Sequence, residues 1–159
     1  MSYKEYLSNI TTLIFDVDGV LTDGTILVTS NGDMYRKMHT KDGYVLKHAI
    51  DCGFHICIIS GGNNEGVRKR LNGLGIKDVF LGVHHKMETL ETYLQKKGVK
   101  MESVLYMGDD IPDLQVMQKV GLACCPQDAV QEIKKISLIP KPFNLFRTPS
   151  LFPPEIIQI

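Results

Sequence analysis

The chain has no excess of charge of either sign and no long apolar segment. Its 159 residues include 18 Lys plus Arg and 18 Asp plus Glu. A neutral chain is not drawn as a whole toward nucleic acid or a membrane surface, and no apolar run is long enough to span a bilayer. We therefore expect neither as a partner. The start, Met1-Ser2-Tyr3-Lys4, lacks a signal-peptide pattern, so we expect a cytoplasmic protein.

Cysteine is scarce and shows no pattern typical of a disulfide framework or a zinc site. The chain has four cysteines, and no two of them are separated by two residues. The histidines lack zinc-ligand spacing to cysteine; they are His39, His48, His55, His84 and His85. We interpret His84 and His85, beside Lys86, as loop residues, with metal ligation or a phosphate-facing surface as the alternatives.

Apolar segments of strand length alternate with segments of helical period. We predict strands at 13–17, 55–59, 78–82, 103–107 and 121–124, and helices at 43–52, 64–74, 86–97, 112–120 and 127–135. Alternation with short links predicts an α/β fold: a doubly wound (Rossmann-like) parallel sheet with helices on both faces. Ligands of such sheets bind at the carboxyl ends of the strands.

Two segments depart from this alternation. Residues 24–39 contain Asn31-Gly32 between two β-like runs, which predicts a hairpin flap that is too short to be a separate cap domain. Residues 136–159 hold five of the seven prolines and no glycine. We therefore expect one domain at 1–135, followed by an irregular tail.

Acidic residues follow the first predicted strand. Asp16 and Asp18 come after Leu13-Ile14-Phe15, and the period of a strand places both carboxylates on the same side. Two such carboxylates repel each other unless a cation lies between them. By itself the pair is equally compatible with an ordinary acidic loop.

Polar residues follow other predicted strands or begin a predicted helix. Ser60-Gly61-Gly62 offers a hydroxyl and backbone amides to an anion, and Gly108 to Asp113 adds three carboxylates. Taken singly, Ser60 is equally compatible with a helix cap. A lone lysine such as Lys86 is most often solvated, and Asp113 is also typical of an acid near a helix N-terminus. Their order along the chain favours one shared site.

These motifs in this order resemble the haloacid dehalogenase superfamily of phosphohydrolases, over roughly residues 10–135. The stretches DVDGVLTDG, KDG, ISGG, YMGDDIPDLQVM and GLACCPQDA further resemble the 3-deoxy-D-manno-octulosonate (KDO) 8-phosphate phosphatases of lipopolysaccharide precursor synthesis. Related groups are the 2-keto-3-deoxynononate 9-phosphate phosphatases and the phosphatase-like module of acylneuraminate cytidylyltransferases. The resemblance implies a homotetramer in which neighbouring subunits help to cover each other's sites.

The resemblance also implies the chemistry. Asp16 would attack phosphorus and form an aspartyl phosphate, while Asp18 would act as general acid and then general base. Ser60, the Gly61 amide and Lys86 would bind the phosphoryl oxygens. The implied Mg²⁺ ligands and their support are Asp16, the main-chain carbonyl of Asp18, Asp109 and Asp110, with Asp113 either orienting the metal shell or capping a helix.

Recognition of the sugar acid is implied for a further set: His39, Thr40, Lys41, Asp42, Gly43, Lys47 and Arg70. Lys47 and Arg70 would pair with a carboxylate, and their plain alternative is a solvated helix face. One position departs from the family pattern, since Gly62 stands where many relatives carry an arginine.

Two other classes of protein share part of this pattern. A receiver domain of two-component signalling needs a lone phosphoacceptor on a middle strand, whereas here the acidic pair follows the first strand. A non-catalytic assembly module commonly loses motif residues, and all of them are present here. We therefore predict a Mg²⁺-dependent phosphatase.

Overall fold

The computed structural model describes residues 7–138, in which five parallel strands form the central sheet. The sheet strands are β1 (Thr12–Phe15), β4 (His55–Ile59), β5 (Asp78–Phe80), β6 (Val104–Met107) and β7 (Leu122–Cys124), and the hairpin strands are β2 (Leu27–Val28) and β3 (Met34–Tyr35). The helices are α1 (Thr40–Asp51), α2 (Glu65–Gly73), α3 (Lys86–Lys97), α4 (Leu114–Met117) and α5 (Gln131–Ile136), with 3-10 turns at Met101–Ser103 and Ile111–Asp113.

The strand order is β5-β4-β1-β6-β7, with β1 at the centre. The chain builds one side of the sheet through β4 and β5, then crosses β1 and builds the other through β6 and β7. Strand order therefore reverses beside β1, which is where open α/β sheets form a ligand crevice. The predicted doubly wound parallel sheet is confirmed.

Side chains alternate between two apolar cores, one on each face of the sheet. Leu13 and Phe15 of β1 face the core that α1 and α2 cover, while Ile14 faces the core that α3, α4 and α5 cover. The near-continuous apolar strands follow from this burial on both faces.

Several element boundaries differ from the predicted ones. α1 begins at Thr40 rather than 43, because His39 caps it: Nδ1 of His39 accepts a hydrogen bond from the Lys41 amide at 3.1 Å. The predicted helix at 112–120 divides into the turn Ile111–Asp113 and α4, since the Asp113 amide donates to the Asp110 carbonyl at 2.9 Å in a 3-10 turn.

The last predicted helix begins late, at Gln131 instead of 127. The Ala129 amide donates to the Pro126 carbonyl at 3.3 Å, and the Val130 amide donates to the Asp109 carbonyl at 2.9 Å. The first bond closes a turn within the segment, and the second ties the segment to the loop after β6 before the helix starts. Most of the predicted tail at 136–159 lies outside the described residues.

The predicted hairpin is confirmed, with strands of two residues each. Leu27 pairs with Tyr35 and Val28 with Met34 in antiparallel register, and Gly32 in the turn has φ +86°. All four paired side chains are exposed. Between residues 7 and 138 there is no separate cap domain, and no helix there combines the length and apolarity that crossing a bilayer requires.

Candidate active site

The carboxyl ends of the central strands border an open cleft of about 430 Å³. Since β1, β4 and β6 are parallel neighbours, the segments that follow them reach the same edge of the sheet. The cleft brings together many of the residues predicted from the sequence: Asp16, Asp18, Ser60, Gly61, Lys86, Asp109 and Asp110. It also contains His84 and Gly62.

Lys86, the first residue of α3, joins two carboxylates. Its Nζ lies 3.0 Å from Oδ2 of Asp16 and 2.7 Å from Oδ1 of Asp113. Burial alone would lower the pKa of Lys86, but the charges and hydrogen bonds of Asp16 and Asp113 outweigh it and raise that pKa. Lys86 therefore stays charged beside Asp16, and its interpretation as a solvated lysine is wrong.

Asp113 is completely buried and holds Lys86 in place. Its Oδ1 also accepts a hydrogen bond from the Tyr106 hydroxyl at 2.7 Å, and its Oδ2 accepts one from the Asp109 amide at 3.3 Å. Sequence reasoning missed Tyr106. The available signal was its place in an apolar strand, because a tyrosine there needs a polar partner for its hydroxyl.

Three carboxylates come close enough to share a cation. One oxygen each from Asp16, Asp109 and Asp113 lie within 4.8 Å of one another. Among residues 7–138, Oδ1 of Asp109 is buried and finds no hydrogen-bond donor. Burial, together with the charges of Asp16, Asp113 and Asp110, raises the pKa of Asp109 to about 7. Burial likewise raises the pKa of Asp16, although Lys86 opposes this.

This donor set fits a hard divalent cation. Carboxylate oxygens are the ligands that Mg²⁺ prefers, and the unpartnered oxygen of Asp109 is available to one. Gly19 closes the cluster from the side of the β1 loop, where its φ is +86° and a Cβ would overlap the Asp109 carboxylate. A glycine is required there for both reasons. Asp16 and Asp109 are thus the side chains best placed to hold the ion.

Two residues predicted for the metal make other side-chain contacts. The exposed Asp110 accepts a hydrogen bond from the Ile111 amide at 2.7 Å and so caps the 3-10 turn. The Asp18 carboxylate pairs with Arg36. The ligand predicted at Asp18 is its main-chain carbonyl, and both assignments remain predictions.

Ser60 does not cap α2, so that alternative is wrong. The cap is Asn64, whose side chain accepts a hydrogen bond from the Val67 amide at 3.0 Å. The buried Ser60 hydroxyl instead accepts one from the Gly62 amide at 3.2 Å, and its carbonyl accepts one from the Val83 amide at 3.0 Å. Ser60 thereby joins the loops after β4 and β5 at the cleft.

The predicted sugar-contacting residues lie elsewhere in the described part of the chain. Seven of them lie on α1, on α2 or just before α1, and they are absent from the cleft wall: His39, Thr40, Lys41, Asp42, Gly43, Lys47 and Arg70. Arg70 lies against Gly43, where a Cβ would come within 2.5 Å of its Nη2. Burial raises the pKa of Asp42 to about 7, and its Oδ2 has no donor among residues 7–138. Sugar recognition by this set remains a prediction.

Sequence reasoning also missed Arg36, which the hairpin places against Asp18. Nε of Arg36 lies 2.7 Å from Oδ1 of Asp18, and Nη2 lies 3.0 Å from Oδ2. Neighbouring hairpin side chains are exposed, whereas the Arg36 side chain is only 6% exposed. A single arginine in a hairpin gives no sequence signal of such a partner.

Comparison with known proteins places this chain in a family. The sequence model of the haloacid dehalogenase-like hydrolases matches residues 30–126. The 3-deoxy-D-manno-octulosonate 8-phosphate phosphatase of Escherichia coli K12 is 38% identical over 121 residues, which make up 76% of this chain and 64% of the relative. The Haemophilus influenzae protein of the same name is 34% identical over 131 residues, 82% of this chain and 73% of the relative.

A solved structure agrees with the fold. The Moraxella catarrhalis 3-deoxy-D-manno-octulosonate 8-phosphate phosphatase, in complex with magnesium, phosphate and KDO, superposes with a TM-score of 0.82 at 27% identity. The match covers 85% of this chain and 78% of that one. The chain spans a little under two thirds of the length of the E. coli relative. The sequence match, the parallel sheet and the motif order together show that the chain belongs to the haloacid dehalogenase-like hydrolase family.

Proposed function

We propose that this protein is a Mg²⁺-dependent phosphatase of a sugar-acid phosphate monoester, with 3-deoxy-D-manno-octulosonate 8-phosphate as the substrate. The observation that carries the proposal is the arrangement around Asp16. This carboxylate lies in the cleft, paired with Lys86 and beside the unpartnered oxygen of Asp109. The names of the curated relatives support the choice of substrate.

Asp16 is the proposed nucleophile. A carboxylate oxygen attacks phosphorus in line, the Asp16–phosphorus bond forms, and the bond to the sugar oxygen breaks. Water then attacks the aspartyl phosphate and frees both phosphate and Asp16. Lys86 supports the attack because its positive charge offsets repulsion between Asp16 and the incoming phosphate dianion.

Asp18 is the proposed general acid and base. It gives a proton to the leaving sugar oxygen in the first step and accepts one from the attacking water in the second. Its position two residues after Asp16, on the wall of the same cleft, suits both transfers.

The phosphoryl oxygens are proposed to bind at Ser60, the Gly61 amide and Lys86. Ser60 and Gly61 face the cleft from the end of β4, and Lys86 faces it from the start of α3. Mg²⁺, held by Asp16, Asp109 and the Asp18 carbonyl with Asp110 in support, would supply charge neutralisation at the phosphoryl group. Hydrolysis of phosphate monoesters is very slow without such stabilisation.

A second candidate substrate belongs to the same class of sugar-acid phosphates. The 2-keto-3-deoxynononate 9-phosphate shares the carboxylate and the primary phosphate, and Gly62 replaces the arginine of many octulosonate relatives. Lys47 and Arg70 are the proposed carboxylate partners, together with the segment at 39–43. Since these residues lie outside the cleft wall, contact requires a substrate that extends along the α1–α2 side.

We further infer a cytoplasmic homotetramer. The hairpin exposes Leu27, Val28, Met34 and Tyr35, and such an apolar surface on a short two-stranded ribbon favours association. A non-catalytic module is disfavoured because the nucleophile, the acid and the lysine are all retained.

The test is phosphate release from both sugar-acid phosphates, measured as kcat/KM with Mg²⁺ and with excess EDTA. We expect the octulosonate 8-phosphate to be preferred and EDTA to abolish turnover, with recovery on adding Mg²⁺. Full activity in EDTA contradicts the metal assignment. A preference for the nonulosonate 9-phosphate contradicts the substrate assignment alone.

A further inference from the structure

The hairpin places one cation, whose side chain is largely shielded from solvent, against the carboxylate that the reaction needs as its acid. Arg36 uses Nε and Nη2 to bond both oxygens of Asp18, at 2.7 and 3.0 Å. This is a two-point, fork-like pair, which fixes the direction of a carboxylate as well as its location. Among residues 7–138, Asp18 forms an ion pair with Arg36 alone.

The Arg36 side of this ion pair is shielded from solvent. The Arg36 side chain is 6% exposed although it comes from an exposed hairpin. It borders a small gap that Ser60, Gly62 and Asn64 also line. Arg36 itself is not part of the cleft wall, so it reaches the cleft through Asp18.

Gly62 leaves the room that this pair occupies. A Cβ at position 62 would lie 3.0 Å from Oδ2 of Asp18 and 3.1 Å from Nη2 of Arg36. Any larger residue at 62 would therefore crowd both partners. Asn64, which follows in the same loop, contacts the hairpin: its Nδ2 donates a hydrogen bond to the Met34 carbonyl at 2.9 Å.

These contacts lead to a role for Arg36 in the reaction. We propose that Arg36 is a positioning residue: its fork fixes the ionised Asp18 carboxylate, and when Asp18 carries the proton, one of the two hydrogen bonds opens so that the protonated oxygen is directed at the leaving sugar oxygen. The inference rests on the proposed function and extends it, since it makes the hairpin part of the acid–base machinery. Lys86 cannot replace Arg36, because it is bonded to Asp16 and Asp113.

The role predicts a dependence on the leaving group. An alkyl leaving group such as a sugar needs a proton, whereas p-nitrophenolate leaves without one. Removing Arg36 should therefore slow the first chemical step for the sugar phosphate and spare it for p-nitrophenyl phosphate. General acid–base catalysis contributes about 10²- to 10⁴-fold, so a loss of about 100-fold is the expected scale.

The experiment measures release of the leaving group in the first turnover, so that later hydrolysis of the phosphoenzyme does not contribute. The variants are Arg36→Ala, Arg36→Lys, Asp18→Asn and the double variant Arg36→Ala/Asp18→Asn. Lys37→Ala is the matched control, since it removes an exposed cation from the same hairpin.

We expect Arg36→Ala to lose about 100-fold on the sugar phosphate and less than about threefold on the aryl phosphate, with KM changed little. Arg36→Lys should recover part of the loss, because an ammonium offers a charge without the fork. In the Asp18→Asn background, Arg36→Ala should add almost nothing, which is the signature of two residues acting together. Lys37→Ala should behave as the wild type.

Equal losses on the two substrates, or losses that add to those of Asp18→Asn, would overturn the role of Arg36. Thermal unfolding of the wild type, Arg36→Ala, Asp18→Asn and the double variant measures the coupling between positions 36 and 18 without relying on activity. An absence of coupling would also overturn the role of Arg36. A wild-type protein inactive on both phosphates would instead remove the proposed function, and the positioning role with it.

Discussion

At the scale of single residues, the site depends on which carboxylate is paired with which cation. Lys86 bonds Asp16 and Asp113, while Asp18 is bonded by Arg36. Asp109 has a buried oxygen without a donor among residues 7–138. The carboxylates are therefore not equivalent: two share a lysine, one is held by the hairpin, and one is open to a cation.

Asp16→Asn should abolish turnover without loss of the fold. An amide is a poor nucleophile and a poorer ligand for Mg²⁺, yet it has nearly the shape of the carboxylate, and Lys86 retains Asp113. Phosphate release measures turnover, and thermal unfolding measures whether the fold is retained. Asp51→Asn makes the same chemical change at an exposed residue of α1 and should leave the rate unchanged. Wild-type rates from Asp16→Asn would show that the nucleophile is another residue.

Asp109 should make stability depend on pH and on Mg²⁺. Its pKa is raised from 3.8 to about 7, so without a metal the folded state binds a proton more tightly than the unfolded state. The stability it contributes is fully present below about pH 3.8 and is lost as the pH rises through about 7. Mg²⁺ binds the ionised carboxylate, and the rise in Tm on adding Mg²⁺ should grow across this window.

Thermal unfolding at a series of pH values, with and without Mg²⁺, measures this effect. Asp109→Asn should lose the Mg²⁺-dependent rise in Tm. Asp42→Asn is the control, because burial raises the pKa of Asp42 to about 7 as well, but Asp42 lies outside the carboxylate cluster. It should change the pH dependence and keep the response to Mg²⁺. An unchanged Mg²⁺ response in Asp109→Asn would contradict the assigned ligand.

At the scale of elements, the loop after β1 and the hairpin bring the site together. The loop turns at Gly19 and presses against Asp109, and the hairpin returns Arg36 to Asp18. The loop after β4 contributes Gly62, which leaves room for that pair, and Asn64, which binds the hairpin backbone. Each element is short, and its geometry is set by the contacts it makes with the others.

Gly19→Ala should be more destabilising than the same change at Gly53. Both glycines have positive φ, +86° and +91°, so alanine costs about 1 kcal/mol of backbone strain at either position. A Cβ at Gly53 meets nothing within 4 Å, whereas one at Gly19 would overlap the Asp109 carboxylate. Chemical denaturation gives both costs, and only Gly19→Ala should also weaken Mg²⁺ binding. Equal costs with intact Mg²⁺ binding would mean that the contact is easily relieved.

At the scale of the whole molecule, the sheet has both faces covered while the hairpin remains exposed. Leu27 and Val28 are 68% and 63% exposed, and the cleft is open to solvent. Within residues 7–138 nothing covers this apolar ribbon. Association with further copies of the chain is the simplest way to bury it.

The chain should therefore self-associate at micromolar concentration, as sedimentation velocity can show. Leu27→Asp with Val28→Asp should shift the protein toward monomer, because burying two charges in an apolar interface is costly. Leu138→Asp places a charge at another exposed apolar position, 52% exposed, and should leave the assembly unchanged. A wild-type monomer with full activity on the sugar phosphate would contradict cross-subunit coverage.

The sequence by itself determined the architecture and the edge of the sheet at which the motif residues meet. Apolar runs of strand length alternating with helical periods specify a parallel sheet, because such runs must be buried on both faces. The motifs follow those runs directly, so Asp16, Ser60 and Asp109 had to reach the same edge. Asn31-Gly32 likewise specifies a hairpin through local backbone preference alone.

Only the tertiary structure decided how the polar groups pair. Arg36 is 18 residues from Asp18, and Lys86 is 27 residues from Asp113. Tyr106 reaches Asp113 only because of the way the turn after β6 folds back onto the strand. The same holds for the position of Arg70 against Gly43, outside the cleft wall. Local preference specifies where a backbone turns, but the partner of a long charged side chain depends on which loops the strand order brings together, and no short stretch of sequence contains that information.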